Sequence, residues 1–331
     1  MFLKGNCMID LSIIIVNWNT KELLRKCIHS VYETTRNATF EVHVVDNGSS
    51  DGSTEMVKIE FPQVKLIENK QNEGFARANN KAIHRTKGRY VLLLNSDTVV
   101  LTQALDKMVT FMDAHRQAGV VGCKLVNKDG TLQLSAAWFP SVATAFFGGN
   151  IVPKALGRLL SMERFPGQTY LTAKAHEEIR DVDWVFGACF MVRKAVIDDV
   201  GLLDENLFMY GEEIEWCMRI RKAGWKVMYF PGAKIVHYEG GSTKYAIGVK
   251  RAVQRKAFAE RYIYHKHHNV LSSFLYDLLA ATMAIVKLVL WGVLALILPN
   301  KDSVRKRSSY HLGVLNSIFN SNCMTEHRVR N

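Results

Sequence analysis

Residues 90–97 read YVLLLNSD, an apolar run that ends in three polar residues. Continuous apolar runs of this kind are typical of strands that are buried on both faces of a sheet. The run predicts a buried strand over Tyr90–Leu94, with Asn95 and Asp97 beyond its carboxyl end. Ligands of open α/β sheets bind beyond the carboxyl ends of the strands, so Asp97 is a candidate site residue.

Three further apolar runs precede this strand, and helical patterns separate them. These runs predict strands over 11–16, 40–45 and 64–67. Strands that alternate with helices predict parallel pairing through helical crossovers. Asn17 and Asp46 directly follow the first two runs. We therefore expect both side chains to converge with Asp97 at one edge of the sheet.

A second set of polar residues lies in the stretch 208–237, FMYGEEIEWCMRIRKAGWKVMYFPGAKIVH. Glu212 and Glu213 open a helical pattern, a strand pattern follows, and His237 ends the stretch. The helix dipole alone can explain acids at a helix start, and a lone histidine is often structural. With Asp97, these residues are also a set that metal-assisted group transfer requires, since Mg²⁺ and Mn²⁺ accept carboxylate and imidazole ligands.

Positive charge is concentrated at the C-terminal end of the chain. The net charge is +12, and residues 241–331 hold 14 Lys and Arg against 4 Asp and Glu. Residues 278–298 are apolar except for Thr282 and Lys287. A long apolar helix with basic flanks predicts a helix that lies on an anionic membrane surface. Its length also allows a membrane span, and a buried helix pair remains open.

Other sequence features narrow the class of protein. The six cysteines are scattered without a CxxC pair, which predicts a reduced compartment and excludes a zinc or disulfide framework. The chain has neither a Walker motif nor GxGxxG, so nucleotide binding of those two kinds is not supported.

The motifs, taken in order, resemble those of inverting glycosyltransferases with the GT-A fold, and in particular rhamnosyltransferase-like members of family 2. The resemblance covers about residues 10–270 and includes the strings at 130–140, 183–188 and 235–243. It implies an α/β GT-A fold, with a mostly parallel central sheet flanked by helices and a C-terminal helical extension that associates with a membrane. The implied boundaries are 1–245 for the catalytic domain, 10–100 for its nucleotide-binding half, 101–245 for its acceptor half and 246–331 for the extension.

The same resemblance implies roles for individual residues. Donor binding falls to Val16, Asn17, Asn19, Asp46, Asn72, Gly74, Asn95 and Asp97. The resemblance implies that Asp97 and His237 bind a divalent metal, Mn²⁺ or Mg²⁺. Catalysis falls to the pair Glu212 and Glu213, with Glu213 as the base. Acceptor binding falls to Trp184, Gly187 and Ala188. Two departures from the family pattern are Asn95 in place of the first acid of the DxD motif and Glu213 in place of an aspartate.

Structural interpretations of these residues stay open. Asp46 suits an Asx-turn, Asn72 and Gly74 suit ordinary helix capping, and Trp184 suits a protein core. The sequence therefore predicts a site from the combined motifs and from no single one of them.

The activity that the resemblance implies is transfer of a sugar, with rhamnose as the leading candidate, from a dTDP- or UDP-sugar. The implied acceptor is a glycan or a lipid-linked molecule in cell-surface polysaccharide synthesis. The implied location is the cytoplasmic face of the cell membrane, peripheral or monotopic, with no nucleic acid partner and with oligomerisation left open. One alternative is a non-catalytic, membrane-tethered sugar-binding protein, which the incomplete motif Asn95-Ser96-Asp97 favours. A nucleotidyltransferase would need a glycine-rich basic loop, whereas residues 17–21 contain one Lys and no Gly.

Overall fold

The computed structural model describes residues 9–141, 170–238, 248–297 and 301–319. The strands in these ranges are β1 (Leu11–Asn17), β2 (Phe40–Asp46), β3 (Lys65–Glu68), β4 (Tyr90–Asn95), β5 (Thr98–Val100), β6 (Ala118–Val126), β7 (Leu132–Gln133), β8 (Ala136–Ala137), β9 (Arg180–Val182), β10 (Trp184–Val185), β11 (Cys189–Arg193) and β12 (Lys226–His237). The α-helices are α1 (Lys21–Thr34), α2 (Ser53–Glu60), α3 (Phe75–Ile83), α4 (Ala104–Ala114), α5 (Lys194–Val200), α6 (Glu212–Lys222), α7 (Gly248–His267), α8 (Val270–Ile297) and α9 (Lys301–Phe319).

The first half of the chain forms the parallel part of the central sheet. Within the described residues the strand order is β3-β2-β1-β4-β11-β6-β12-β5, and β1 pairs in parallel with both β2 and β4. Ile13, Ile14 and Ile15 are 0% exposed, because helices cover both faces of this strand. The predicted parallel pairing is therefore confirmed. The third strand begins at Lys65, one residue later than predicted, because the N–H of Val64 closes a turn onto the carbonyl of Phe61 at 2.9 Å.

The second half of the chain adds strands of mixed direction. β11 runs antiparallel between β4 and β6, while β12 runs parallel to β6 and antiparallel to β5. The last pairing aligns His237 with Thr98, the neighbour of Asp97. Asp97 and His237, which lie 140 positions apart in sequence, are thus brought to the same edge of the sheet.

The first C-terminal helix, α7, packs against the segment that leads into α6. Ala259 and Ile263 of α7 form a small core cluster with Leu207, just before α6. Gly211 has a φ of +88° and approaches α7 so closely that an added Cβ would lie 2.9 Å from Ile263 Cδ1. The predicted boundary at residue 246 precedes the first residue of α7, and the division into two domains stays a prediction.

Glu215 connects α6 to the end of α7. Its side chain is 0% exposed and forms ion pairs with Arg219, Lys266 and His267. The pair with Arg219 follows from the spacing of four residues on one helix, whereas the other two cross between helices. Burial by itself would raise the pKa of Glu215. Hydrogen bonds from His267, Arg219 and Lys266 outweigh this effect and lower the pKa to about 2.

We expect Glu215→Gln to lower the free energy of unfolding by about 2 kcal/mol at neutral pH, because Arg219, Lys266 and His267 lose a buried, negatively charged partner. The depressed pKa of Glu215 means that its contribution is present above the ordinary pKa of glutamate and is lost as pH falls towards 2. Urea unfolding at neutral and acidic pH checks both statements. Glu68→Gln removes an exposed ion pair with Lys58 and should change stability by less than about 1 kcal/mol. Equal effects of the two substitutions would contradict the proposed importance of the Glu215 cluster.

Candidate active site

The carboxyl ends of β1 and β2 carry a connected polar cluster. Parallel pairing places Asn17 opposite Asp46, and Asn17 Nδ2 donates to Asp46 Oδ2 at 2.8 Å. Asp46 Oδ1 accepts the backbone N–H of Ser49 at 2.8 Å, a contact that the Asx-turn interpretation explains. Asp46 is 2% exposed, yet each carboxylate oxygen can accept a further hydrogen bond. Binding of a base by Asp46 stays a prediction.

The same cluster continues to the strand end that carries Asp97. The Thr20 hydroxyl donates to Asn17 Oδ1 at 2.7 Å and lies 2.9 Å from Ser96 Oγ. The backbone N–H of Asn19 donates to Ser49 Oγ at 2.9 Å. The predicted convergence of the strand ends is therefore present. The side chain of Val16 is half-buried beside this cluster and packs against the core.

The N-terminus of α3 is capped by other parts of the chain. Gly74 has a φ of +87°, and an added Cβ would lie 2.4 Å from the carbonyl oxygen of Phe208. Its N–H donates to Asn72 Oδ1 at 3.0 Å, and the N–H of Phe75 donates to Phe208 O at 2.7 Å. The capping interpretation accounts for these contacts. The expected role of Asn72 and Gly74 in donor binding stays a prediction.

Asp97 and His237 form a buried pair at the centre of the edge. Asp97 Oδ1 lies 3.4 Å from His237 Nε2 and has no hydrogen-bond partner among the described residues. His237 Nδ1 lies 2.9 Å from Gln133 Oε1. The side-chain amide of Asn95 lies 3.5 Å from His237 Nε2. The pair presents an unpartnered carboxylate oxygen and an imidazole nitrogen to the same space.

These two groups fit part of a coordination sphere for a divalent cation. In the part of the chain that the structure describes, no group of three or more His, Cys, Asp or Glu side chains could hold a metal ion. Among the described residues, Asp97 and His237 are thus two candidate ligands. Carboxylate oxygen and imidazole nitrogen together suit Mn²⁺ and are also compatible with Mg²⁺.

Glu212 and Glu213 lie at the start of α6, with one oxygen of each carboxylate unpartnered among the described residues. Burial, together with the charge of Glu213, raises the pKa of the Glu212 carboxyl well above its ordinary value. Burial also raises the pKa of Glu213, although hydrogen bonds from backbone groups, including that of Gly187, lower it in part. A raised pKa makes a carboxylate a stronger base.

Exposure distinguishes the two acids. Glu212 is 6% exposed, whereas Glu213 is half-buried. Gly187 faces Glu213, since an added Cβ at Gly187 would lie 4.0 Å from Glu213 Cβ. The next residue, Ala188, accepts the backbone N–H of Asn95 at 3.1 Å. The short segment Gly187–Ala188 therefore contacts Glu213 and, through the backbone of Asn95, the strand end next to the Asp97–His237 pair.

Trp184 requires a correction. It is 4% exposed, its ring stacks on that of Phe186 with centroids 5.4 Å apart, and its indole N–H donates to the carbonyl of Trp138 at 3.0 Å. In this conformation it presents no open ring face to a sugar. Packing in the core replaces the expected stacking role, because the short strand β10 turns this side chain inward.

Sequence reasoning missed several members of the site. They are Thr20, Ser49, Ser96 and Gln133. Gln133 lies in the string 130–140, which supports the resemblance but assigns this residue no role. The partner of Gln133 lies 104 residues away, so no local pattern could have assigned its role.

Two solved structures share the fold of this chain. A mannosyltransferase from Pyrobaculum calidifontis, in complex with GDP-Man and Mn²⁺, aligns with 94% of this chain and 87% of its own, at a TM-score of 0.56 and 15% identity. GalNAc-T7 with UDP, GalNAc and Mn²⁺ aligns with 77% of this chain and 50% of its own, at a TM-score of 0.53 and 18% identity. The fold is thus the GT-A glycosyltransferase fold, as the sequence resemblance implied.

The chain belongs to glycosyl transferase family 2, whose family model matches residues 12–201. It is 27% identical over 248 residues to an N-acetylglucosaminyl-diphospho-decaprenol L-rhamnosyltransferase of Mycobacterium tuberculosis. This alignment covers 70% of this chain and 77% of the relative. It is 26% identical over 217 residues to the low-salt glycan biosynthesis hexosyltransferase Agl10 of Haloferax volcanii, which covers 64% of this chain and 62% of the relative. The protein is therefore a glycosyltransferase that is similar to a rhamnosyltransferase.

Proposed function

We propose that this glycosyltransferase moves a sugar, with inversion, from a nucleotide diphosphate to a glycan or lipid-linked acceptor in polysaccharide synthesis. One observation carries the proposal: the segment Gly187–Ala188 contacts the half-buried Glu213 and also Asn95, whose side chain lies 3.5 Å from His237 of the Asp97–His237 pair. A base and a site for a charged leaving group together suit a single displacement.

The donor is proposed to be a dTDP- or UDP-sugar, with dTDP-rhamnose first. Asp46 could accept the imide N–H of thymine or uracil, a donor group that cytosine lacks. Asn17 and Asn19 adjoin Asp46 through the Ser49 hydroxyl. The choice of rhamnose is supported by the mycobacterial relative, which is named as an L-rhamnosyltransferase.

Asp97 and His237 are proposed to hold Mn²⁺ or Mg²⁺. When bound, the metal would supply positive charge that stabilises the departing nucleotide diphosphate. The fit rests on the unpartnered Asp97 Oδ1 and on His237 Nε2, 3.4 Å away, which has a long contact of 3.5 Å with the Asn95 amide. The Mn²⁺ complexes of the two solved glycosyltransferases support a divalent metal.

Glu213 is proposed to take the proton from the acceptor hydroxyl as that oxygen attacks the anomeric carbon. The raised pKa of Glu213 strengthens it as a base, and the carboxyl must be ionised to act. Turnover should therefore fall as pH drops through a value above the ordinary range for glutamate. A single displacement with one base inverts the anomeric configuration and needs no covalent nucleophile, in contrast to retaining hydrolysis.

A non-catalytic sugar-binding protein is the second candidate, and the observation that favours it is Asn95 in place of an acid. Thermal-shift screening against nucleotide sugars with Mn²⁺ identifies the donor, and donor hydrolysis by the purified protein separates the two functions. Metal-dependent hydrolysis supports the enzyme. Binding without hydrolysis or transfer to any offered acceptor would support the sugar-binding protein.

The acceptor is proposed to lie at the cytoplasmic face of a membrane. Within the described residues, Val270–Val293 is long and apolar enough to cross a membrane. One side of α8 is open to solvent, with exposed Val270, Leu271, Phe274, Leu275, Leu278, Ile285, Val286, Val289, Leu290 and Val293. The opposite side packs on α7 and α9 through buried Tyr276 and Ala280. A helix with one open apolar side and a basic neighbourhood suits an anionic membrane surface.

Replacing Leu271, Phe274 and Leu278 together with Gln should weaken binding to anionic vesicles by at least about tenfold, because three inserted apolar side chains are lost. Donor hydrolysis should stay near its original rate. Vesicle co-sedimentation measures the first effect. The control replaces Ile59 and Ile179, exposed apolar residues outside α7, α8 and α9, with Gln and should sediment like the original protein. Unchanged sedimentation of the triple variant would mean that another surface binds the membrane or that none does.

A further inference from the structure

The hairpin of β6 and β7 places Gln133 against His237. Gln133 is 8% exposed and pairs with Leu125 in the antiparallel ladder. Its side-chain nitrogen donates to Asn127 Oδ1 at 2.6 Å and to the backbone carbonyl of His237 at 2.9 Å. Its side-chain oxygen lies 2.9 Å from His237 Nδ1. Both ends of the amide are thus engaged.

The direction of these hydrogen bonds is set at the tip of the hairpin. Hydrogen bonds from Thr131 lower the pKa of Asp129, so this carboxylate is ionised and can only accept. The Thr131 hydroxyl donates to Asp129 Oδ1 at 2.6 Å, so its oxygen can only accept from the side-chain nitrogen of Asn127, at 2.8 Å. Asn127 Oδ1 is then left to accept from Gln133.

This direction allows one orientation of the Gln133 amide. The flipped amide would place its oxygen against two other acceptors, Asn127 Oδ1 and the carbonyl of His237. With the nitrogen committed to those acceptors, Gln133 Oε1 must accept a hydrogen, and among the described residues the donor that faces it is Nδ1 of His237. A neutral imidazole that donates from Nδ1 has a lone pair on Nε2.

We propose that Gln133 is a positioning residue that holds His237 in the Nδ1–H tautomer and directs its Nε2 lone pair towards the space shared with Asp97. The inference rests on the proposed metal role of His237 and adds the group that prepares it. Nε2 and Asp97 Oδ1 lie 3.4 Å apart with no hydrogen between them in this tautomer, an arrangement that a shared cation stabilises. The ionised Asp129, at the far end of the chain of hydrogen bonds, thereby determines the tautomer of His237.

The tautomer can be measured without any metal. Nitrogen-15 NMR of histidine-labelled, metal-free full-length protein at mildly alkaline pH, with His237→Ala to assign the signal, should show a proton on Nδ1 and none on Nε2. The opposite tautomer would overturn the inference whether or not the protein binds a metal. This measurement needs no variant of Gln133 and is independent of catalysis.

Metal affinity supplies the second test. Gln133→Met should weaken Mn²⁺ binding by about 10–100-fold, the usual effect of removing a hydrogen-bond partner of a ligating histidine. Asp129→Ala, at an exposed turn position, should weaken it less and should yield a mixture of tautomers. Lys128→Ala alters the same turn outside the hydrogen-bond chain and should leave affinity unchanged. Mn²⁺ titration followed by electron paramagnetic resonance measures all three.

The outcomes separate the two proposals. Wild-type Mn²⁺ affinity in Gln133→Met would overturn the positioning role. If Gln133→Met does not fold, Asp129→Ala supplies the test. An unchanged His237 tautomer and an unchanged Mn²⁺ affinity in Asp129→Ala would overturn the proposed role of the hydrogen-bond chain. If the original protein shows the Nδ1–H tautomer but binds no Mn²⁺, the proposed metal site fails while the tautomer assignment stands.

Discussion

Glu213→Gln should lower turnover about a hundredfold or more, the usual effect of removing a general base, while donor affinity stays within a few-fold. The amide has the shape of the acid but cannot take the proton of the acceptor hydroxyl. Because burial raises the pKa of Glu213, the acid limb of the pH–rate profile should lie above the ordinary glutamate range and should vanish in the variant. Steady-state kinetics across pH, with nucleotide release as the signal, checks both effects.

Glu212→Gln is the matched control, since it changes the neighbouring acid in the same way. Glu212 is 6% exposed and less accessible to an acceptor, so this variant should keep most of its activity. The pKa of Glu212 is raised in the folded state, so the ionised group opposes folding as pH rises through that pKa. Glu212→Gln should therefore raise the melting temperature at neutral pH by a few degrees. An inactive Glu212→Gln beside an active Glu213→Gln would reverse the assignment of the base.

Asp97→Ala should abolish metal-dependent donor binding and lower turnover by roughly a thousandfold, since a catalytic metal contributes several kcal/mol to the transition state. Asp97 supplies the one carboxylate of the pair, and its Oδ1 has no other partner among the described residues. Calorimetry of donor binding with and without Mn²⁺ measures the loss directly. His237→Ala should weaken the same binding without abolishing it, because the carboxylate remains.

Two further variants make the Asp97 experiment decisive. Asp97→Asn keeps the shape of the side chain and should lose metal-dependent binding while it preserves the fold. Asp198→Ala removes an exposed carboxylate that pairs with Lys194 and should leave donor binding and turnover unchanged. Full activity of Asp97→Ala in the presence of a strong chelator would rule out the proposed metal site.

Much of the fold follows from local sequence patterns. The apolar run of β1 and the run YVLLL of β4 are long and continuous enough to indicate strands that are buried on both faces, and intervening helices imply parallel pairing. Once the strands are parallel, their carboxyl ends meet at one edge. That geometry is sufficient to bring Asn17, Asp46 and Asp97 together from sequence alone.

The tertiary structure decided what depends on contacts between distant segments. Burial of Trp184 depends on rings that surround it, and the period of its short strand does not reveal which face points inward. The accessibility of Glu213 relative to Glu212 depends on how α6 meets its neighbours, since both acids occupy the same helical turn.

The sequence by itself determined the parallel direction of the first strands, the acid at the end of β4 and the paired acids at the start of α6. Each of these features depends on residues that are neighbours in the chain. The tertiary structure alone decided the pairing of Gln133 with His237 and of Glu215 with Lys266. These pairs span 104 and 51 residues, and a hydrogen bond or ion pair of that span forms only where packing of the intervening chain brings both groups within about 3 Å.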